Sequence, residues 1–364
     1  MSKAAELANL IGNINAGGGG VNRNVVINGA MNVAQRSTSE TVLGANTNTY
    51  RTVDRFKIQT NGTAGRFTMS QDSSAPSGFA NSTKFDCTTA DTSIDAGEYF
   101  IFRQVIEGQN LQGFAKGTSD AKPFAVSFYV KGNASATYVC ELYDSTNARQ
   151  ISKTFNVTTS WSRVELSFPP DTSGTLNDDN AESLLLGIWL HAGSNYSSGT
   201  LNSSAWASNT NANRVVGTSS FFDSTDRTFF ITGVQLEVGQ NPTSFEHEPF
   251  ERTLAKCQRY FQRYPSTAQG TSGLILHQYS STVAYGGFRF KRVMRAAPTF
   301  SLTNDADDFT VYNGTGRAVS NITSDGFTVE GCSFGFTTAS GGGVGNGCAV
   351  NGNADAGFDF SAEL

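Results

Sequence analysis

The segment from Thr228 to Tyr264, TFFITGVQLEVGQNPTSFEHEPFERTLAKCQRYFQRY, constrains the chain more than any other. It opens as a strand in which Phe230, Gly233 and Val234 frame an apolar alternation, breaks at Asn241-Pro242, and runs on as a helix. Phe250, Leu254, Cys257, Phe261 and Tyr264 fall on one stripe of that helix, while Arg252, Lys256, Arg259 and Arg263 keep the same steps on another face. Pro249 suits the first turn and Pro265 stops the last. The reading predicts a linking helix over 248–265 that separates two β domains, its stripe packed on a sandwich or a neighbouring subunit.

A chain of 364 residues exceeds one ordinary core, which favours two domains. Gly, Ser, Thr, Asn and Phe are abundant and only 16% of residues are charged, a composition of short strands and polar turns. The 27 Phe and 11 Tyr, spread along the sequence, point to packed cores rather than disorder. The fold class is therefore all-β. A net charge of −5 gives no reason to expect nucleic acid or an anionic membrane as partner. Met1 to Leu10 lacks a basic region followed by an apolar run, and no apolar run reaches membrane-spanning length. Cys87, Cys140, Cys257, Cys332 and Cys348 form no CxxC pair. Free buried thiols fit better than a zinc site, with a Cys332–Cys348 bridge as the alternative.

Four parts follow. Residues 1–23 combine a short amphipathic helix over 2–12, N-capped by Ser2, with a hinge at Gly17–Gly20. Leu7, Leu10, Ile11 and Ile14 make a narrow stripe that cannot stabilise a lone helix of this length, so an anchor ordered by its partner is expected. Residues 24–247 hold the larger β domain. Its strand signals are the alternations around Phe124–Val130, Tyr138–Leu142 and Val164–Phe168, the pairs Phe100/Phe102 and Phe221/Phe222, and the apolar run Leu184–Leu190. The polar stretch 193–218 reads as an exposed loop. After the helix, residues 266–364 read as a smaller β-sandwich, with strands at 274–276, 285–290, 299–302, 309–311, 327–329, 334–336 and 358–364. Ser340–Gly347 is glycine-rich but lacks the context of a phosphate loop.

Catalytic signals are weak. His191, His247 and His277 lie in different elements, and neither GxSxG nor HExxH occurs. Asp54, Glu98, Glu107, Glu141, Glu165 and Glu237 are the carboxylates open to glycosidase work, but no pair stands out and no β-helix repeat is present. Glu237 reads as outward-facing, and His191 as a satisfied structural histidine. The reading is a non-enzyme without cofactor or metal. Clustered oxygens in Thr175–Glu182 and Asn304–Asp308 lack the spacing of a calcium loop and fit solvated turns.

Glycan contact is the sharper prospect, since sugar rings stack on aromatics and their hydroxyls take amide partners. Trp206 with Tyr196, in a loop rich in Asn and Ser, has that composition. The opposing reading makes Trp206 a plug at the edge of the sandwich. Trp161 and Trp189 fall on strands and read as core.

NGAMNVAQRSTS (Asn28–Ser39), VDRF (Val53–Phe56), FAVSFYVKG (Phe124–Gly132), TTSWSRVELSF (Thr158–Phe168), ITGVQLEVG (Ile231–Gly239), SFEHEPFERTLAKCQRYFQR (Ser244–Arg263), RVMRAAPTFSL (Arg292–Leu302) and a terminal AEL (Ala362–Leu364) follow one another in an informative order. In that order the chain resembles virion structural proteins of tailed bacteriophages, often tail-fibre or receptor-binding proteins and common in marine phages. The resemblance implies a middle domain like the jelly-roll sandwich of carbohydrate-binding modules, a homotrimer, other virion proteins as partners, and host glycan as a further partner. On this view Leu7, Leu10, Ile11, Phe250, Leu254 and Phe261 serve assembly. A tail fibre is the leading expectation, a head or neck decoration such as a capsid fibre the second, and a glycan depolymerase the rival from another class.

Overall fold

The computed structural model describes residues 2–15, 22–265, 271–303, 305–339, 341–353 and 356–364. The Gly17–Gly20 hinge lies outside them. Two compact units are present, Met1–Thr253 with Leu364, and Leu254–Glu363.

The first unit opens with helix α1 (Lys3–Asn15), whose Ser2 Oγ accepts from the Ala5 amide at 3.3 Å as an N-cap. Leu7 and Ile11 on it are 57% and 50% exposed. The strands that follow are β1 (Ser39–Ala45), β2 (Asn48–Tyr50), β3 (Phe56–Asn61), β4 (Thr63–Asp72), β5 (Ser82–Thr89), β6 (Tyr99–Glu107), β7 (Phe124–Gly132), β8 (Ala136–Asp144), β9 (Arg149–Val157), β10 (Ser162–Phe168), β11 (Glu182–Ala192), β12 (Ala207–Ser208) and β13 (Thr228–Val238). They form two antiparallel sheets, ordered β1-β4-β5-β13-β7-β10 and β12-β9-β8-β11-β6-β3-β2, in a jelly-roll-like sandwich.

Period-two alternation builds the core. Phe124, Val126, Phe128 and Val130 of β7 and Leu184, Leu186, Ile188 and Leu190 of β11 all belong to it. On β13 the inward residues are Phe229 and Ile231, then Val234 and Leu236. The phase slips by one residue at Gly233, where the pairing with β7 breaks register and the backbone takes φ +63°. A Cβ at Gly233 would lie 2.7 Å from the Phe79 ring, so glycine is required twice over. Between Phe229 and Ile231, Phe230 faces outward by alternation, beside Trp161 at 6.1 Å between ring centroids. Trp161 is half-buried on that outer face rather than in the core. Phe221 and Phe222 sit in a 3₁₀ turn, not a strand, and plug the sandwich end.

Helix α3 (Phe250–Gln258) is shorter than the apolar stripe predicted, and the boundary between units falls within it, after Thr253. Phe261 and Tyr264 lie instead on β14 (Phe261–Pro265), paired with a strand ending in Phe358–Ser361. The Tyr260 amide donates to the Cys257 carbonyl at 2.9 Å and closes the helix, and sheet pairing overrides the helical spacing beyond it. Phe250 is 54% exposed, whereas Cys257 and Phe261 are buried.

The second unit continues through β15 (Thr271–Gln278), β16 (Val283–Arg289), β17 (Thr299–Leu302), β18 (Phe309–Tyr312), β19 (Gly316–Asp325), β20 (Gly331–Thr338), β21 (Gly347–Gly352) and β22 (Gly357–Ser361). Strands β15-β16-β20-β19-β18-β21 close into a barrel, and β14-β22-β17 form a small sheet, so this unit takes the place of the expected sandwich. Residues 327–329 are not a strand; β19 and β21, poor in large apolar residues, were not visible in the pattern. Phe288, Phe334 and Phe360 pack in its core. All five cysteines are buried and free, so Cys332 and Cys348 form no bridge. Burial pushes the Cys332 thiol up to about 12, which keeps it an inert thiol.

One buried charge cluster ties the loops of the larger unit together. Lys116 Nζ lies 2.5 Å from Asp144 Oδ2 and 3.0 Å from Asp171 Oδ2, and donates to the carbonyls of Ser173 and Gly174 at 3.0 and 2.9 Å. Arg149 holds Asp171 in a two-pronged pair at 2.8 and 2.9 Å. Both Lys116 and Asp144 are fully buried. Removing one partner of such a cluster strands the others without solvent. Lys116→Met should therefore lower stability by about 3–5 kcal/mol in urea unfolding followed by tryptophan fluorescence; a loss below about 1 kcal/mol would contradict the role assigned to the ammonium.

Candidate functional site

The outer face of the second sheet carries a groove of about 220 Å³. Sheet order places β8, β11, β6 and β3 side by side, and the pairing register arranges their outward residues in rows. One row reads Tyr143 and Leu185; the next, Glu141, Gly187 and Arg103; the next, Val139, Trp189, Ile101 and Gln59. Gly187 leaves the middle of the floor without a side chain. A Cβ there would stand 3.3 Å from the Ile101 methyl and 3.8 Å from Trp189 Nε1.

The wall comes from the stretch 193–218, which is less exposed than its composition suggests. Its short helix α2 (Ser194–Ser197) brings Tyr196 against Tyr99 and Trp189, at centroid distances of 5.4 and 5.5 Å. Arg214 reaches back to the sheet and grips Glu141 with both arms, at 2.7 Å each. Glu141 Oε2 also accepts the Trp189 indole N–H at 2.9 Å. The Arg214 guanidinium lies over Trp189 at 4.8 Å and Tyr143 at 5.1 Å. Burial opposes the charge on Arg214, and Glu141 outweighs it, holding the arginine above its usual range.

Tyr196 thus lines the groove. Trp206 does not. It is 7% exposed, faces the interior, packs on Phe124 at 5.3 Å and donates its indole N–H to the Pro169 carbonyl at 2.9 Å. The Lys116 ammonium lies 5.2 Å from its ring. Its position is that of the edge plug, and a binding role for it is corrected accordingly. Trp189 is buried, as expected of a strand residue, but on the outer face beneath Arg214 rather than in the main core. The six carboxylates are scattered. Asp54 accepts from the Gln35 amide at 3.0 Å; Glu107 accepts from Gln109; Glu165 pairs with Arg163 at 2.6 Å. Glu237 is fully buried, not outward in solvent, because the 243–244 segment and Arg23 cover it. Only Glu141 joins the groove, where Glu182 accompanies it. Among the described residues no group of three or more His, Cys, Asp or Glu is arranged to hold a metal ion. Gln59, Tyr99, Arg103 and Glu182 were not singled out in the sequence. For Gln59, Tyr99 and Arg103 the phase on β3 and β6 carried the signal, since each alternates with the core-facing residues of its strand, whereas Glu182 shares the phase of Leu184 and reaches the groove through a register slip between the two.

His191 lies at the end of β11 and is fully buried. Its Nδ1 meets Ser220 Oγ at 2.9 Å and its Nε2 meets Glu98 Oε2 at 3.2 Å. With Nε2–H donating to the Glu98 carboxylate oxygen, the Nδ1 lone pair accepts the Ser220 hydroxyl, whose oxygen in turn accepts from the Phe222 amide. Burial pulls the imidazole down to about 4, and nearby Asp91 only partly opposes it. The folded state therefore binds this proton less readily than the unfolded state, whose reference value is 6.5. The stability due to neutral His191 is complete above pH 6.5 and is lost as pH falls toward about 4, amounting to about 3 kcal/mol. Glu98, raised by burial and by Asp91, acts in the opposite sense, its contribution fading as pH rises. His191→Gln should flatten the stability-versus-pH curve over pH 4–6.5 relative to the unaltered protein in thermal melts; parallel curves would refute the assignment.

No protein-family model matches the chain, and no curated protein sequence matches it. Among solved structures it is similar to a CBM4 module at 12% identity and a TM-score of 0.29, over 58% of this chain and 97% of that one. It is similar to TmCBM61, solved in complex with β-1,4-galactotriose, at 11% identity and a TM-score of 0.30, over 59% and 99% of the two chains. It is also similar to the enzymatically active domain of tailspike protein 4 of bacteriophage CBA120, at 13% identity and a TM-score of 0.29, over 59% of this chain and 21% of that one.

Proposed function

We propose that this chain is a virion structural protein of a tailed bacteriophage, a tail fibre or similar host-attachment appendage, whose sandwich binds glycan in the groove on its second sheet. The groove carries the binding half of the reading. It is an open, shallow trough, smaller than the ~300 Å³ typical of enclosed small-molecule pockets. Tyr99, Tyr143 and Tyr196 offer ring faces and edges, and Gln59, Asn211 and Arg103 offer polar groups between them. That alternation of apolar ring and polar tip suits a saccharide, which has C–H faces and hydroxyl edges. Binding without cleavage follows from Glu141. Its two oxygens accept three hydrogen bonds from Arg214 and Trp189 and the residue is 3% exposed, so the carboxylate is held against the sheet rather than presented to a sugar in the groove.

The virion half rests on the ordered motifs from Asn28 to Leu364 and on the N-terminal helix. Leu7 and Ile11 are exposed on α1, a short amphipathic helix that gains stability by packing on a partner. Three copies, or a second virion protein, would cover that stripe; the threefold state comes from the resemblance to fibre proteins.

Two measurements test the halves separately. Gly187→Leu fills the floor of the groove and should abolish retention on the saccharides that the unaltered protein binds in a glycan panel, while costing about 1 kcal/mol of stability. Retention unchanged by that substitution would remove the groove from the reading. Deleting residues 1–20 should leave the sandwich folded by circular dichroism but prevent incorporation into particles, and normal incorporation would refute the anchor.

A further inference from the structure

The groove holds two arginines in opposite conditions. Arg214 is saturated by Glu141. Arg103, two rows from Tyr99 on β6, makes no hydrogen bond or ion pair with the described residues, and its Nε is buried without a partner. Directly opposite it on β3 stands Lys57, and like charges in that relation destabilise a sheet. Lys57 has contacts of its own, the Tyr50 ring at 5.7 Å and the Leu364 carbonyl at 3.4 Å, whereas Arg103 has no hydrogen bond or ion pair among the described residues. Burial depresses the Arg103 guanidinium, and the charge of Glu182 counters this from beyond ion-pair distance. One row away, Gln59 donates its amide to Tyr99 Oη at 2.8 Å and leaves its Oε1 buried without a donor. A planar cation lacking an acceptor and an amide oxygen lacking a donor therefore share one groove floor, on neighbouring strands. Buried polar groups are ordinarily paired, so the mismatch points to what the groove is shaped to receive.

We propose that the groove selects an acidic saccharide, a uronate-containing glycan, whose carboxylate meets the Arg103 guanidinium and whose neighbouring hydroxyl donates to the Gln59 side chain. This rests on the glycan-binding reading and narrows it to a charge class. The guanidinium fork matches a carboxylate with two parallel hydrogen bonds, which a neutral sugar cannot supply. Gly187, immediately opposite Arg103 on β11, leaves the space in which that carboxylate would lie. Glu182 is the group that limits affinity, since it shares the groove and repels an anion.

The test uses the full chain and two probes with one backbone, the trimer of galacturonic acid and its methyl ester, in which a methyl group replaces each carboxylate charge. Calorimetry should show the acid binding at least tenfold tighter than the ester, with the difference shrinking as salt is raised. Arg103→Met should remove that difference by weakening the acid at least tenfold and the ester far less, with the thermal midpoint retained. Glu182→Gln should tighten the acid severalfold and leave the ester alone. Equal binding of acid and ester, or equal losses for both in Arg103→Met, would overturn the acidic class while the glycan reading stands. Binding of neither, with neutral oligosaccharides also unbound, would overturn both. A trimer of mannuronic acid bound in place of the galacturonate, with the same response to both variants, would uphold the class with a different sugar.

Discussion

Glu141 is the point on which the groove depends. It projects from the outward face of β8, where a carboxylate would ordinarily be solvated, yet it is 3% exposed. Its two oxygens accept three hydrogen bonds, from Arg214 Nε, Arg214 Nη2 and the Trp189 indole. Each of those donors orders a different piece of the structure. The indole bond fixes the orientation of the largest side chain on the outer face. The arginine pair pins the far end of the 193–218 stretch to the sheet, and the same guanidinium roofs Trp189 and Tyr143. A charge-assisted pair of this geometry is strong only when water is kept away. The aromatic rings around it do that, so the polar clasp and the apolar roof support one another.

Beyond the Tyr143 end of the groove the unit uses a different device. Lys116 brings an ammonium into a cage of four oxygens from Asp144, Asp171, Ser173 and Gly174. This is the kind of oxygen set that a hard cation would take, and here the cation is covalently part of the chain. The arrangement holds the residues after β8 against those after β10, and Trp206 closes it on the core side. Between them, the two clusters fix the middle and the far end of the 193–218 stretch: Trp206 toward the core, Arg214 toward the groove. A segment of polar, turn-forming composition is thereby held in one place by two side chains.

This division explains what could be read from the residues alone. The alternations on β7, β8 and β10 were legible because each strand has one face in the core, and the phase of its large apolar residues states which, whereas β11 is apolar throughout Leu184–Leu190 and is buried on both faces. The groove was not legible because its floor is assembled across β8, β11, β6 and β3, a spatial order unrelated to their order in the chain. Trp189 and Trp206 show the limit from both sides. Each is buried and each donates its indole N–H, but one belongs to the outer face and the other to the interior, and only the path of the intervening loop decides between them. The stripe at 250–264 misled for another reason. Its steps of three and four suit a helix, yet from Phe261 onward the partner strand β22 was available, and cross-strand pairing decided the conformation. In the second unit β19 and β21 escaped because they expose much of their length and carry few large apolar residues.

Backbone irregularity completes the site. Along β11 the outward residues are Leu185, Gly187 and Trp189, and the next in phase would be His191. The pairing with β6 slips at this point, so that Trp189 stands opposite Ile101 but His191 opposite Phe100 and Ala192 opposite Tyr99. The extra residue turns His191 inward, toward Glu98 and Ser220, and puts the small side chain of Ala192 on the outer face instead. Tyr196 can then pack against Tyr99 and Trp189 at the end of the trough. Without the bulge an imidazole would occupy that place and the tyrosine wall could not form. One inserted residue therefore sets both the buried histidine on one side of the sheet and the aromatic end of the groove on the other, which makes the low proton affinity of His191 and the shape of the binding face two consequences of a single register shift.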